Sequence, residues 1–137
     1  MQNQGVYQKY KQVQVGTANR GKLLIMLYQG CIKFLNIAQK GIEENQLELA
    51  NTNIIKAQDI INELMATLDM EQGGNIAKNL YSLYEFMNYQ LLQANIKKDV
   101  EQIKVVENMI LELLKTWQQI INGKQEKESE KQITVNG

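Results

Sequence analysis

Proline is absent from all 137 positions, and no other feature narrows the fold as much. A proline inside an α-helix removes a hydrogen bond, clashes with the preceding turn and costs ~3 kcal/mol, so a chain without it can carry long unbroken helices. The apolar spacing says where they lie. Leu24, Tyr28, Cys31, Leu35, Ala38 and Ile42 recur at steps of four and three, the repeat of one helix face, and predict a first helix over residues 18–40. Thr17 is its expected N-cap, because a threonine hydroxyl can accept one of the free N–H groups of the first turn. Gly41 is its expected C-terminal stop.

Leu47, Ala50, Ile54, Ala57, Ile61, Leu64 and Leu68 predict a second helix over residues 46–69. The Gly73-Gly74 pair interrupts the pattern, and Ile76, Leu80, Tyr84, Met87, Leu91 and Ala94 resume it in a third helix over 74–95. Asp99 is the expected cap of a fourth over 99–122, with Gln102 in the capping-box position and a stop at Asn122-Gly123. Helices of ~20–24 residues are ~30–36 Å long, and short connections make neighbours antiparallel. The fold class is therefore all-α: an antiparallel up-down four-helix bundle over residues 1–123, beginning with a strap. Residues 124–137 hold three lysines, three glutamates and almost no apolar side chains, so they are expected to be a disordered tail.

Composition then removes most of the chemistry that bundles host. There is no histidine and one cysteine, so no His-assisted nucleophile, no Glu-x-x-His metal centre and no phosphorelay histidine can be built. No catalytic, metal or cofactor residue is nominated. Cys31 sits in an apolar run and reads as a packed thiol. No apolar run reaches the ~18 residues of a membrane span and the N-terminus lacks a signal-peptide pattern, so a cytoplasmic protein without membrane insertion is expected. Fifteen acids balance fifteen bases, which gives no overall nucleic-acid footprint. Locally the balance fails: residues 1–41 carry six bases and no acids, residues 42–72 seven acids and one base. Either the first two helices lie side by side and attract, through exposed pairs worth ~0–1 kcal/mol each, or the basic stretch is a face for an acidic partner.

A bundle helix needs one apolar stripe of about three positions in seven. The first helix adds Leu23, Ile25, Met26, Leu27, Ile32, Phe34 and Ile37 to its stripe, and the third adds Ala77, Tyr81, Leu83, Phe86 and Tyr89. Part of this excess is expected to be covered by the N-terminal segment, where Val6, Tyr7, Tyr10, Val13 and Val15 punctuate a polar stretch like a detachable strap. The rest suits a groove that accepts an amphipathic helix or an extended peptide of another chain. A helix-binding chaperone or adaptor, a structural homodimer and a small carboxylate enzyme all stay open at this point.

Six stretches, in order, resemble the flagellin-specific export chaperones of bacterial flagella, the FliS family: YQKY at 7–10, VGTA at 15–18, MLYQG at 26–30, IIKAQDIINEL at 54–64, LDMEQGGNIAKNLYSLYEFM at 68–87 and QLLQAN at 90–95. Asn19-Arg20 departs from the family's usual serine-proline pair and Gln29 from its usual aspartate. The first change removes a preset backbone angle and the second a charge, and neither touches the apolar surface. The resemblance implies a cytoplasmic chaperone, not an enzyme, that binds the C-terminal segment of flagellin, prevents premature polymerisation and presents the client to the flagellar type III export gate without a cofactor. It leaves a flagellin-level regulator open as a further partner. Carried over by motif, the expected client contacts are Leu27, Ile55, Leu80, Leu83, Tyr84, Met87 and Leu91. Tyr7 and Tyr10 match the N-terminal motif, implied to lie over the bundle or dock at the gate.

Overall fold

The structure, a computed structural model, describes the backbone of residues 20–136 and the side chains of residues 20–123. Thr17, Tyr7, Tyr10 and the rest of the expected strap lie outside the described residues. Four helices follow one another: α1 Arg20–Glu43, α2 Leu47–Ala66, α3 Gly74–Lys97 and α4 Val100–Asn136. α1 packs against α2 and α4, and α3 against the same two, so the helices close a ring with α1 and α3 on its diagonal. Links of a few residues reverse the chain each time, which yields the antiparallel up-down bundle expected from the spacing.

The middle of each of the three predicted stripes is the core, and α4 adds Ile103, Val106 and Ile110 to it. Tyr28, Leu35, Ile54, Ile61, Met87, Leu91, Ile103 and Ile110 have no exposed surface. Two stripe ends miss it: Leu47 is 45% and Ile76 71% exposed. A step of four back from Leu80 reaches Ile76 and a step of three reaches Ala77, and spacing permits both. The smaller Ala77 takes the buried place, beside Gly73, where an added Cβ would lie 2.6 Å from the Ala77 Cβ.

Helix ends correct three expectations. α1 runs through Gly41 to Glu43. Gly41 is instead a point of close approach, since a Cβ there would stand 3.1 Å from the Gln46 carbonyl oxygen and 3.2 Å from the Ala50 nitrogen. The stop is Asn45, in the left-handed region at φ 57°. Around it the Gln46 N–H donates to the Gly41 carbonyl (2.6 Å) and the Asn45 N–H to the Ile42 carbonyl (3.1 Å), the paired bonds of a Schellman end. Asp99 does cap α4, its Oδ1 accepting the Glu101 N–H at 2.9 Å. The reciprocal half of the capping box does not form, because the Asp99 N–H closes α3 onto Ala94 (3.0 Å) and the Gln102 amide turns to Gln90 (3.4 Å). Finally, α4 does not stop at Gly123 and its backbone stays helical to Asn136, through the segment expected to be disordered. One glycine costs a helix only about 1 kcal/mol, and the Lys, Gln and Glu residues that follow are good helix formers.

The described parts of the oppositely charged stretches lie side by side as α1 and α2, yet no ion pair joins these helices among the described residues. Lys104–Glu101, within α4, is an exposed pair at 3.7 Å. The single base of residues 42–72, Lys56, instead lies over the Phe34 ring of α1, 5.4 Å from its centre.

Candidate functional site

Amide side chains at a regular spacing hold the seam between α2 and α3. The Asn95 amide donates to the Asn51 Oδ1 (2.7 Å), the Gln58 amide to the Asn88 main-chain carbonyl (3.3 Å), and the Asn88 amide to the Asn62 Oδ1 (2.8 Å). Because these helices are antiparallel, the rising numbers on α2 meet falling numbers on α3. Above the amides the seam opens into a cleft of about 350 Å³ lined by Ile55, Gln58, Asp59, Asn62, Asn88, Tyr89 and Leu92. Ile55, Tyr89 and Leu92 form its apolar walls and are 45%, 58% and 50% exposed. Asp59 is the one charged residue of the lining, and the Asn88 Oδ1 is buried without a hydrogen-bond donor.

The apolar excess is broader than expected. α3 exposes Ile76, Tyr81, Phe86, Tyr89, Leu92 and Ile96, and α1 exposes Leu23 and Met26. α2 also exposes Leu47, Leu49 and Ile55, and α4 Val105, Leu111 and Ile120, although their spacing shows only an ordinary stripe.

The expected client contacts divide. Ile55 lies in the cleft. Leu80 and Leu83 on α3 and Leu27 on α1 are half-buried against the core, on helices that face each other across the ring diagonal and so form no single surface. Tyr84, Met87 and Leu91 are at most 1% exposed and belong to the core, so as surface contacts they are excluded while the bundle is closed. The sequence reading missed Asp59, Asn62, Asn88 and Leu92, and it noted Tyr89 without assigning it. The periodic amides at 51, 58 and 62, matched by 88 and 95, were the available signal.

Tyr84 has another part. Its hydroxyl is hydrogen-bonded to the Tyr28 hydroxyl in the core, and the Trp117 Nε1–H donates to the Tyr28 oxygen at 3.1 Å, tying α1, α3 and α4 together. Burial raises both tyrosines above their ordinary range, with the bonds from Tyr84 and Trp117 partly offsetting this at Tyr28, so both hydroxyls stay neutral. Burial likewise pushes the Cys31 thiol up to about 12, which makes it a packed thiol and not a thiolate nucleophile. Among the described residues no group of acidic or cysteine side chains could hold a metal ion, and no helix is long and apolar enough to cross a membrane.

A helical bundle with apolar side chains left over on all four helices, and a half-polar cleft between two of them, is a scaffold for holding another polypeptide. Comparison with known proteins narrows that class. The profile of the family described as "Flagellar protein FliS" matches residues 1–124, and the chain belongs to this family. It is 38% identical over 120 residues to the flagellar secretion chaperone FliS of Bacillus subtilis, covering 88% of this chain and 89% of that one. With the flagellar secretion chaperone FliS of Campylobacter jejuni it shares 33% identity over 123 residues, 90% of this chain and 96% of the relative. A crystal structure of a bacterial flagellar chaperone has the same fold, with a TM-score of 0.73 at 19% identity over 88% of this chain and 98% of that one. The named relatives are chaperones, not enzymes.

Proposed function

We propose that this protein is a cytoplasmic chaperone that binds the C-terminal segment of flagellin, prevents its premature polymerisation and delivers it to the flagellar type III export gate. The observation that carries the reading is the outward side of α3, where Tyr81, Phe86, Tyr89, Leu92 and Ile96 are exposed and Tyr89 and Leu92 line the cleft at the α2 seam. Such a face attracts an amphipathic helix, which buries its own apolar stripe there. A client that is unfolded when free loses conformational entropy on binding, and burying long apolar strips at ~25 cal/mol per Å² offsets that loss. Of the seven contacts expected from the sequence, Ile55, Leu80, Leu83 and Leu27 are proposed here, joined by Tyr89 and Leu92, while Tyr84, Met87 and Leu91 lie in the core of the closed bundle. Tyr7 and Tyr10 are proposed for covering the bundle or docking at the gate.

Seeded polymerisation of flagellin from the same cell tests this. An equimolar amount of the chaperone is expected to stop filament growth, and a variant with Tyr89→Asp and Leu92→Asp to restore it. Unchanged growth at several-fold excess of the unmodified protein would count against the reading.

A further inference from the structure

We infer that the α2–α3 cleft is a recognition pocket for one basic side chain, an arginine, of the bound segment. The inference rests on the reading of the protein as a chaperone for a flagellin segment and adds the chemistry of one contact to it.

An arginine side chain is an apolar stem ending in a planar cation with five N–H donors and no acceptor. The cleft is complementary at each point. Ile55 and Leu92 give a wall for the stem. Tyr89, more than half exposed, offers a ring face on which a guanidinium can stack. Asp59 supplies a carboxylate, and the amides of Gln58 and Asn62 supply further oxygens, while no lysine or arginine lines the cleft.

Other side chains fit less well. An aliphatic anchor would take water from Asp59 without giving it a partner. An acidic anchor would face Asp59 with no positive charge beside it. A lysine would satisfy the carboxylate but bring a compact cation that stacks less well on a ring.

The surroundings reinforce the choice. Residues 42–72 hold seven acids against the single base Lys56. That base is drawn onto Phe34 of α1, away from the α3 seam.

The test is a double-mutant cycle by calorimetry at low salt. Its probe is a peptide copying the last ~40 residues of the flagellin made by the same cell, with each lysine and arginine replaced singly by glutamine. Asp59→Asn is expected to weaken binding of the unaltered peptide ~5–10-fold, less than the ~13-fold or more of a buried charge-assisted hydrogen bond because water screens the exposed Asp59. One arginine replacement should give the same loss, and combining the two should add almost nothing. Tyr89→Phe should bind within ~2-fold of the parent and Tyr89→Ala clearly weaker, as ring stacking requires. Asp59 is exposed, so its variant should melt like the parent. Equal binding by the Asp59→Asn variant and the parent would overturn the pocket and leave the chaperone reading standing. The same small loss at every basic position would mean long-range attraction only and also overturn it. Binding by neither protein would overturn the flagellin reading itself.

Discussion

Replacing Tyr28 by phenylalanine removes the oxygen on which the core's polar network converges. Trp117 donates to that oxygen at 3.1 Å and the Tyr84 hydroxyl is bonded to it, with Tyr28 wholly buried and Tyr84 only 1% exposed. Two hydroxyl protons share one oxygen–oxygen link, so whichever tyrosine donates, one O–H is already left over. In the Tyr84→Phe variant the count of orphaned donors stays the same, because Tyr28 still accepts from Trp117. The cost is one net hydrogen bond, ~0.5–1.5 kcal/mol. In Tyr28→Phe both bonds go, and the Trp117 N–H and the Tyr84 hydroxyl are each left without an acceptor, for a cost of ~2–4 kcal/mol. The double variant orphans only the indole N–H, so adding Tyr84→Phe to Tyr28→Phe should cost nothing further or recover ~1 kcal/mol. Urea unfolding followed by far-ultraviolet circular dichroism measures all three. Trp117, the chain's only tryptophan, gives an independent fluorescence reading. If Tyr84→Phe were as damaging as Tyr28→Phe, or the two losses simply added, convergence on the Tyr28 oxygen would be refuted.

Two further predictions concern single atoms in the packing. With its folded value raised from an ordinary 9.0 to about 12, the Cys31 thiol binds its proton more tightly folded than unfolded. Its contribution is therefore fully present below pH ~9 and shrinks by up to ~1.4 kcal/mol per pH unit above it, until the folded thiol titrates. Alkaline unfolding curves should show that fall from pH 9 upward, shallower in Cys31→Ala, and a thiol reagent at pH 8 should label Cys31 only as fast as the bundle opens. Gly41→Ala and Gly123→Ala should have opposite signs. The first pushes a methyl to 3.1 Å from the Gln46 carbonyl oxygen and 3.2 Å from the Ala50 nitrogen, where backbone must shift, whereas nothing lies within 4 Å of the second. Thermal unfolding should show a loss of ~1–2 kcal/mol at Gly41 and a gain of ~0.5–1 kcal/mol at Gly123.

The bundle was legible because its helices repeat an apolar side chain every three or four residues over five or six turns, and that repeat has one structural solution. Its ends were less so. Gly41 follows a lysine and looks like a helix stop, but only the crossing of α2 reveals that its missing side chain makes room for Ala50. Asn45, the real stop, carries no local mark that distinguishes it from the chain's other asparagines. The client surface was the least legible part. Tyr84, Met87 and Leu91 share a helix with Tyr81, Tyr89 and Leu92, and a helix apolar around most of its circumference does not say which side meets its neighbours. The side facing α2 is identified by Asn88 and Asn95, which reach across to amides on that helix. Asp59 carries no mark in the sequence, and only the packing of α2 on α3 sets it in one cleft with Tyr89 and Leu92.

Mixing the protein with a peptide of the last ~40 residues of flagellin, ~60 Å long if fully helical, tests the central claim most directly. Calorimetry is expected to show one-to-one binding with a negative heat-capacity change, circular dichroism a gain in helix beyond the sum of the parts, and Tyr89→Asp with Leu92→Asp a loss of both. No binding at tens of micromolar, or a stable dimer of this chain that the peptide leaves intact, would contradict it.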